Sequence, residues 1–180
     1  MRVITGIAKG HKLKAPKGTN TRPTTDRVKE TLFNIIGDIH PDSIILDLFA
    51  GSGSIGIEFL SRGAKKSYFI DSDISSYKTI LENINKTKFN DRSEVYKNTY
   101  DKALRVLRNK GIRFNYIFLD PPYDKGLVEK SIEFIIEYDL LTKDGLIIVE
   151  HEKALDLTAF SNKYSINTRN YGDTSVSFLK

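Results

Sequence analysis

Short apolar runs alternate with helix-like stretches along most of the chain, and this alternation restricts the fold more than any other feature. The apolar runs occupy residues 43–49, 66–71, 94–97, 115–120 and 145–150. The helix-like stretches between them lie at about 54–62, 73–86, 100–110 and 126–138. Apolar strands separated by helices are typical of a parallel sheet that is covered on both faces. The sequence therefore predicts a doubly wound α/β sheet.

The two ends of the chain depart from this alternation. Residues 2–16 alternate around two glycines and predict a small N-terminal β-hairpin. Residues 163–180 predict two strands joined by a turn at residues 172–173, which makes them antiparallel. We therefore expect a Rossmann-like, doubly wound, seven-stranded, mostly parallel sheet with an antiparallel C-terminal hairpin. A basic hairpin extension over residues 1–20 is expected to precede one main domain over residues 21–180.

The composition narrows the cellular setting. No apolar run approaches the roughly 18 residues that a membrane span needs, so we expect no membrane partner. The chain has no cysteine, which fits a reducing compartment and predicts a cytoplasmic protein. Its three histidines show no ligand spacing, so no metal site is expected.

The positive charge is concentrated at the N-terminus. Residues 1–30 contain eight Lys or Arg and two acids, so this arm carries a net +6, whereas the whole chain carries +5. A basic run of this kind is often only a solvated surface. Clustered cations are also what phosphate contacts require, so Lys9, Lys12, Lys14 and Arg27 are candidates for binding RNA.

A glycine-rich loop joins the first predicted core strand to its helix. Gly51, Gly53 and Gly56 match the spacing G-x-G-x-x-G, which on its own is a weak signal for a dinucleotide site. Glycines allow a tight turn and a close approach to a ligand, and the helix N-terminus offers free N–H groups. Twenty residues beyond Gly51, the second strand ends at Asp71, whose carboxylate is placed to bind ribose hydroxyls.

The acid that precedes this loop selects among ligands. Asp47 would repel a pyrophosphate, but it suits a ligand with a positive amino group. S-adenosylmethionine carries an ammonium and a sulfonium and has no phosphate, so we predict that Asp47, Phe49, Ala50 and the loop glycines bind this cofactor. NAD or FAD binding and a purely structural loop are the alternatives.

The fourth predicted strand ends in the sequence LDPPYD, at the edge of the sheet where the glycine loop lies. Asp120 and the carbonyl of Pro121 can accept hydrogen bonds from an exocyclic amine, and Tyr123 offers a face on which a base can stack. Pro122 stiffens the corner. Holding both amine protons favours a pyramidal nitrogen, and nearby oxygens stabilise its developing positive charge. We predict a catalytic site for a nucleobase amine, in which Asp120 also borders the cofactor. An incidental turn is the alternative.

Four segments together resemble a known family. They are "RPTTDRVKETLFNII" (22–36), "LDLFAGSGSIGIEFLSRGA" (46–64), "LDPPY" (119–123) and the closing "YGDTSVSFLK". The chain resembles class I S-adenosylmethionine-dependent methyltransferases and, more narrowly, the RsmD family, bacterial enzymes that methylate guanine N2 in 16S rRNA. The resemblance covers essentially the full length and implies that residues 21–180 are the methyltransferase domain.

The resemblance also implies site residues. It implies that Arg22, Pro23 and Thr24 close over the cofactor pocket. Relatives often carry an acid after the third strand that binds the adenine amine, whereas this sequence has Asn98 and Thr99 there, with an aspartate two residues further on. Adenine recognition through Asn98, Thr99 or a backbone group therefore stays open.

The resemblance implies 16S rRNA as the partner, within an assembling 30S subunit and its ribosomal proteins, and a monomeric enzyme. Three other functions stay open on the sequence alone. They are methylation of another planar amine, such as adenine N6 in DNA or RNA or a protein glutamine, nicotinamide-dependent oxidoreduction, and non-catalytic rRNA binding during assembly. Asp47 disfavours the oxidoreductase, and the complete Asp-Pro-Pro-Tyr motif disfavours loss of catalysis.

Overall fold

A computed structural model describes residues 1–16, 26–123 and 126–180. The helices are α1 Asp26–Ile36, α2 Ser54–Ser61, α3 Ile74–Thr87, α4 Tyr100–Asn109 and α5 Leu127–Glu137. The strands are β1 Ile44–Leu48, β2 Lys66–Asp71, β3 Ser93–Lys97, β4 Phe114–Leu119, β5 Leu141–Glu152, β6 Ile166–Tyr171 and β7 Thr174–Leu179. No helix in this described part of the chain is long and apolar enough to cross a membrane.

All seven strands form one sheet in the order β3-β2-β1-β4-β5-β7-β6. Strands β1 to β5 are parallel, and β7 runs antiparallel to both β5 and β6. The predicted doubly wound sheet with an antiparallel end is confirmed. Strand β5 begins earlier than the predicted 145–150, because Leu141 already pairs with Phe114 before a shift in register.

Helices cover both faces of the sheet. On one face, α4 and α5 pack on side chains such as Ile117, Leu119 and Val149. On the other, α1 and α2 pack on Phe118 and Ile148. Because side chains alternate along a strand, residues two apart share a face. This alternation positions the acids at the carboxyl ends of β1, β4 and β5.

The N-terminal residues form an antiparallel turn with a single β-bridge, between Arg2 and Lys12, in place of two regular strands. Their backbone N–H groups bond to another element: Ile4 and Thr5 donate to the carboxylate of Glu58 on α2, at 2.8 and 2.9 Å. These bonds explain why the hairpin is short. The turn packs onto α2, and the predicted boundary between residues 20 and 21 lies outside the described residues.

Glu58 is fully buried together with the Lys29 side chain of α1. Their ion pair measures 3.2 Å, and Arg62 approaches the same carboxylate at 3.0 Å. A buried carboxylate needs this number of partners, because removing any one leaves charge uncompensated. The network fixes α1, α2 and the N-terminal turn to one another, beside the glycine loop.

Candidate active site

The glycine loop is built from left-handed backbone conformations. Phe49, Gly51 and Gly53 all have positive φ, at 69°, 55° and 75°. Gly56 serves packing instead, since a Cβ there would lie 2.3 Å from the ring of Phe69 on β2. The loop therefore turns tightly at the end of β1 while α2 packs closely on the sheet.

Asp47 holds the loop from beneath. Its side chain is buried, and one carboxylate oxygen accepts a hydrogen bond of 2.9 Å from the backbone N–H of Gly56. Burial raises the pKa of Asp47 to about 7, the hydrogen bond lowers it, and the negative charge of Asp71 adds to the rise. A carboxylate in this state gains most from a ligand that brings a positive charge.

Asp71 connects the loop to the next helix. One of its oxygens accepts from the N–H of Gly51 at 2.8 Å, and the other accepts from the N–H of Asp73 at 2.9 Å. Asp73 in turn caps α3 by accepting from the N–H of Ser76. Burial raises the pKa of Asp71. The Ser76 side chain is a third donor to Asp71, and a carboxylate has about four lone-pair positions, so one remains to accept from a ribose hydroxyl.

A cavity of about 640 Å³ opens at this edge of the sheet. It lies within the range of pockets that hold cofactors. The predicted residues that line it are Asp47, Phe49, Ala50, Gly51, Asp71, Asn98, Thr99, Asp120 and Pro122. Gly53 does not line it, so its part is the left-handed turn before α2. Sequence reasoning missed the contribution of the N-terminal residues Met1, Ala15 and Pro16.

The turn after β3 contributes an acidic side chain to the cavity. Asp101, the aspartate two residues after Thr99, lines the cavity together with Asn98 and Thr99. A hydrogen bond from the side chain of Thr99 lowers the pKa of Asp101 and keeps it ionised. The Asn98 side chain accepts from the N–H of Thr99 at 3.0 Å. The cavity therefore has a carboxylate acceptor after β3, where the sequence left the recognition of the adenine amine open.

The Asp-Pro-Pro-Tyr corner divides two spaces. Asp120 and Pro122 face the large cavity, whereas Pro121, Pro122 and Tyr123 line a hollow of about 110 Å³ on the other side. Tyr123 is 44% exposed, and its hydroxyl is hydrogen-bonded to the side chain of Thr174. This ring is held in place with a free face, as stacking on a base requires.

Asp120 has a carboxylate neighbour that sequence reasoning missed. Glu150 is only 7% exposed and lies two residues before the end of β5. Burial raises the pKa of Asp120 well above its ordinary range, and the charges of Glu150 and Asp47 raise it further. The available signal was the run "GLIIVE", which ends in an acid as "NYIFLD" does.

The candidate RNA-binding lysines lie on the N-terminal turn, and the side chains of Lys9, Lys12 and Lys14 are exposed. Lys14 forms an ion pair of 2.6 Å with Glu82, which neutralises part of its charge. Lys86 of α3 donates to the backbone carbonyl of Lys12 and adds a cation to this surface. The predicted residues Arg22, Pro23 and Thr24, and the side chain of Arg27, lie outside what the structure describes.

The strand order, the glycine loop held by two aspartates, and an Asp-Pro-Pro-Tyr corner whose Asp120 and Pro122 line the same cavity define a methyltransferase of the Rossmann-like class. Within this class, the chain belongs to the RsmD family. The family described as "Conserved hypothetical protein 95" matches residues 1–180.

Known proteins of this family are similar over most of their length. YlbH of Bacillus subtilis is 40% identical over 181 residues, which cover 100% of this chain and 98% of that protein. The "Ribosomal RNA small subunit methyltransferase D" of Escherichia coli K12 is 36% identical over 93% of this chain and 82% of that protein. The solved structure of Escherichia coli yhhF superposes with a TM-score of 0.83 at 33% identity, covering 99% of this chain and 96% of that one.

Proposed function

We propose that this chain is an S-adenosylmethionine-dependent enzyme that methylates the exocyclic N2 amine of a guanine in 16S rRNA during small-subunit assembly. The observation that carries the proposal is the shared cavity of Asp47 and Asp120. One acid suits a cationic ligand at the glycine loop, and the other ends the strand beside a free aromatic face. The name of the Escherichia coli relative supports ribosomal RNA as the substrate.

Each part of the cofactor is assigned to residues of the cavity. Asp47 and Asp71 both line it, and they are proposed to bind the ammonium and the ribose hydroxyls, respectively. Asp101, with Asn98 and Thr99 beside it, offers acceptors to the adenine amine. Arg22, Pro23 and Thr24 are proposed to close the cavity from outside the described residues. Bound S-adenosylmethionine supplies an electrophilic methyl group on a sulfonium.

The corner residues prepare the acceptor. Asp120 and the carbonyl of Pro121 each accept one proton of the guanine amine, while Tyr123 stacks on the ring. The amine lone pair then points at the methyl carbon. The new nitrogen–carbon bond forms as the carbon–sulfur bond breaks, and that electron pair stays on sulfur. The positive nitrogen gives its extra proton to the carboxylate of Asp120, whose raised pKa suits it as a base.

The N-terminal turn is proposed to bind the RNA backbone. Lys9, Lys12 and Lys14 are exposed on this turn, and Arg27 follows in sequence at the start of α1. Met1 and Ala15 of the same N-terminal segment line the cavity, so RNA held there would lie close to the cofactor. We propose that the enzyme acts as a monomer in the cytoplasm on an assembling 30S subunit with its ribosomal proteins.

Mass spectrometry of rRNA nucleosides tests the proposal, because it identifies the base and the modified atom together. A strain that lacks this protein should lose one N2-methylguanosine from 16S rRNA, and a plasmid copy should restore it. Loss of N6-methyladenosine would indicate an adenine methyltransferase instead. An unchanged nucleoside profile together with defective subunits would indicate a non-catalytic assembly factor.

A further inference from the structure

Asp120 and Glu150 are lateral neighbours on one face of the sheet. Leu119, the last residue of β4, pairs with Val149 of β5; Asp120 directly follows β4, and Glu150 is the next residue of β5. The preceding pair, Phe118 and Ile148, lies in the core cluster beneath α1 and α2. Alternation places both acids on that same face, on strands about 4.8 Å apart.

Glu150 also belongs to the acceptor corner electrostatically. Besides burial, its negative charge raises the pKa of Asp120 and of the Tyr123 hydroxyl, in agreement with the strand pairing that places Glu150 beside Asp120. Among the described residues, the other charges that act on these two groups are Asp47 and Glu152. All of these charges are negative, so the corner favours a substrate edge that presents N–H donors.

The two purines differ at the atom beside the amine. In guanine, N1–H is a donor directly next to the N2 amine, so one edge offers donors to two neighbouring carboxylates. In adenine, N1 is an acceptor next to the N6 amine, and its lone pair would face the second carboxylate. A carboxylate oxygen accepts and does not donate, so adenine would leave it without a partner and in repulsion.

We propose that Glu150 accepts a hydrogen bond from N1–H of the target guanine, while Asp120 holds the N2 amine, and that Glu150 thereby selects guanine over adenine. The proposal rests on the proposed guanine-N2 activity. It does not require Glu150 to be otherwise unbonded, since a carboxylate has about four lone-pair positions for hydrogen bonds.

A base analogue isolates the N1–H contact. 2-Aminopurine keeps the amine at position 2, but its N1 is an acceptor. Small subunits would be reconstituted with 16S rRNA carrying guanine or 2-aminopurine at the mapped methylation site. Single-turnover methylation with saturating cofactor would then be compared between the wild-type enzyme and Glu150→Gln. 2-Aminopurine also lacks O6, and this effect cancels because the same two bases are compared in both enzymes.

The wild-type enzyme should methylate guanine at least about tenfold faster than 2-aminopurine, which is the discrimination of one well-placed base contact. In Glu150→Gln the rate on guanine should fall. The ratio of the guanine rate to the 2-aminopurine rate should decrease by about tenfold or more, because the new amide can donate to the acceptor N1 of 2-aminopurine. Glu152→Gln is the matched control, since it removes the same charge from the same strand. Its ratio should stay within about twofold of the wild type.

The outcomes separate the two proposals. If the wild-type enzyme leaves the guanine subunits unmethylated, the proposed function fails before any variant is made. If guanine N2 is methylated but Glu150→Gln keeps the wild-type ratio, only the role of Glu150 is refuted. Should that variant fail to fold, as judged by melting and adenosylhomocysteine binding, Glu150→Ala takes its place, and the wild-type comparison can still refute the contact. Equal rates on the two bases would overturn the N1–H contact.

Discussion

Replacing Asp47 by Asn is expected to stabilise the ligand-free protein while it weakens cofactor binding. The ordinary pKa of an aspartate is 3.8, and that of Asp47 is about 7. The folded state disfavours the ionised form of Asp47. The free energy of unfolding is therefore lowered progressively as pH rises from about 4 to 7, and by a constant amount above pH 7. This reduction reaches up to about 4 kcal/mol. Asn keeps an oxygen for the N–H of Gly56 and avoids this cost.

Urea unfolding at several pH values measures this effect. At pH 8 Asp47→Asn should exceed the wild type in unfolding free energy by a few kcal/mol at most, and the difference should shrink toward pH 4. The adjacent cavity acid Asp71 supplies a control, because its charge is the smallest of the three contributions to the pKa of Asp47, so Asp71→Asn should leave most of the Asp47 difference in place. Equal stabilities of wild type and Asp47→Asn at pH 8 would refute the assignment of a raised pKa.

The same titration governs binding. With a pKa of about 7, half of Asp47 is ionised at pH 7 and about one-eleventh at pH 6, so affinity for adenosylhomocysteine should fall about fivefold between them. Calorimetry at pH 7 should also detect release of about half a proton on binding. Asp47→Asn should bind about 10- to 100-fold more weakly at pH 7, with no such pH dependence. Wild-type affinity that is constant between pH 6 and pH 7 would contradict the ion pair.

Two further changes test the surface and the loop. Neutralising Lys9, Lys12 and Lys14 should weaken RNA binding and lower the log–log salt slope by about 0.7–0.9 for each phosphate that the protein no longer neutralises, with cofactor affinity unchanged. An unaltered RNA affinity would show that this basic arm is only a solvated surface and does not bind RNA. Gly53→Val should abolish cofactor binding in calorimetry, because the position has a φ of 75° and a Cβ there would lie 3.3 Å from Phe69. Normal binding by that variant would show that the left-handed turn is dispensable.

Local patterns predicted most of the fold. Apolar strands and amphipathic helices depend on neighbouring residues, so their alternation was visible in the sequence and the sheet is confirmed. The structure of the N-terminal turn was harder to predict, because its backbone N–H groups donate to Glu58, which lies more than 50 residues away in the sequence. No local signal reveals such a partner, and two short strands were the simpler expectation. The early start of β5 likewise depends on pairing with β4.

In the candidate site, too, local sequence patterns predicted some residues and missed others. Asp47, Asp71 and Asp120 all lie at or next to the end of a core strand, and the rule that strand ends share an edge predicted their meeting at one cavity. Glu150 obeys the same rule but lacks a recognisable motif around it. Met1 reaches the cavity only because the N-terminal turn packs on α2, which composition and spacing do not encode.

The proposed chemistry depends above all on Asp120, which orients the guanine amine and stabilises its positive charge during methyl transfer. Single-turnover formation of N2-methylguanosine, with saturating cofactor and small subunits, measures this step. Asp120→Ala should lose about 10²–10³ in rate, and Asp120→Asn less because it keeps an acceptor oxygen, while adenosylhomocysteine binding persists in both. If Asp120→Ala forms N2-methylguanosine within about threefold of the wild-type rate, the corner is only a turn and the catalytic assignment is wrong.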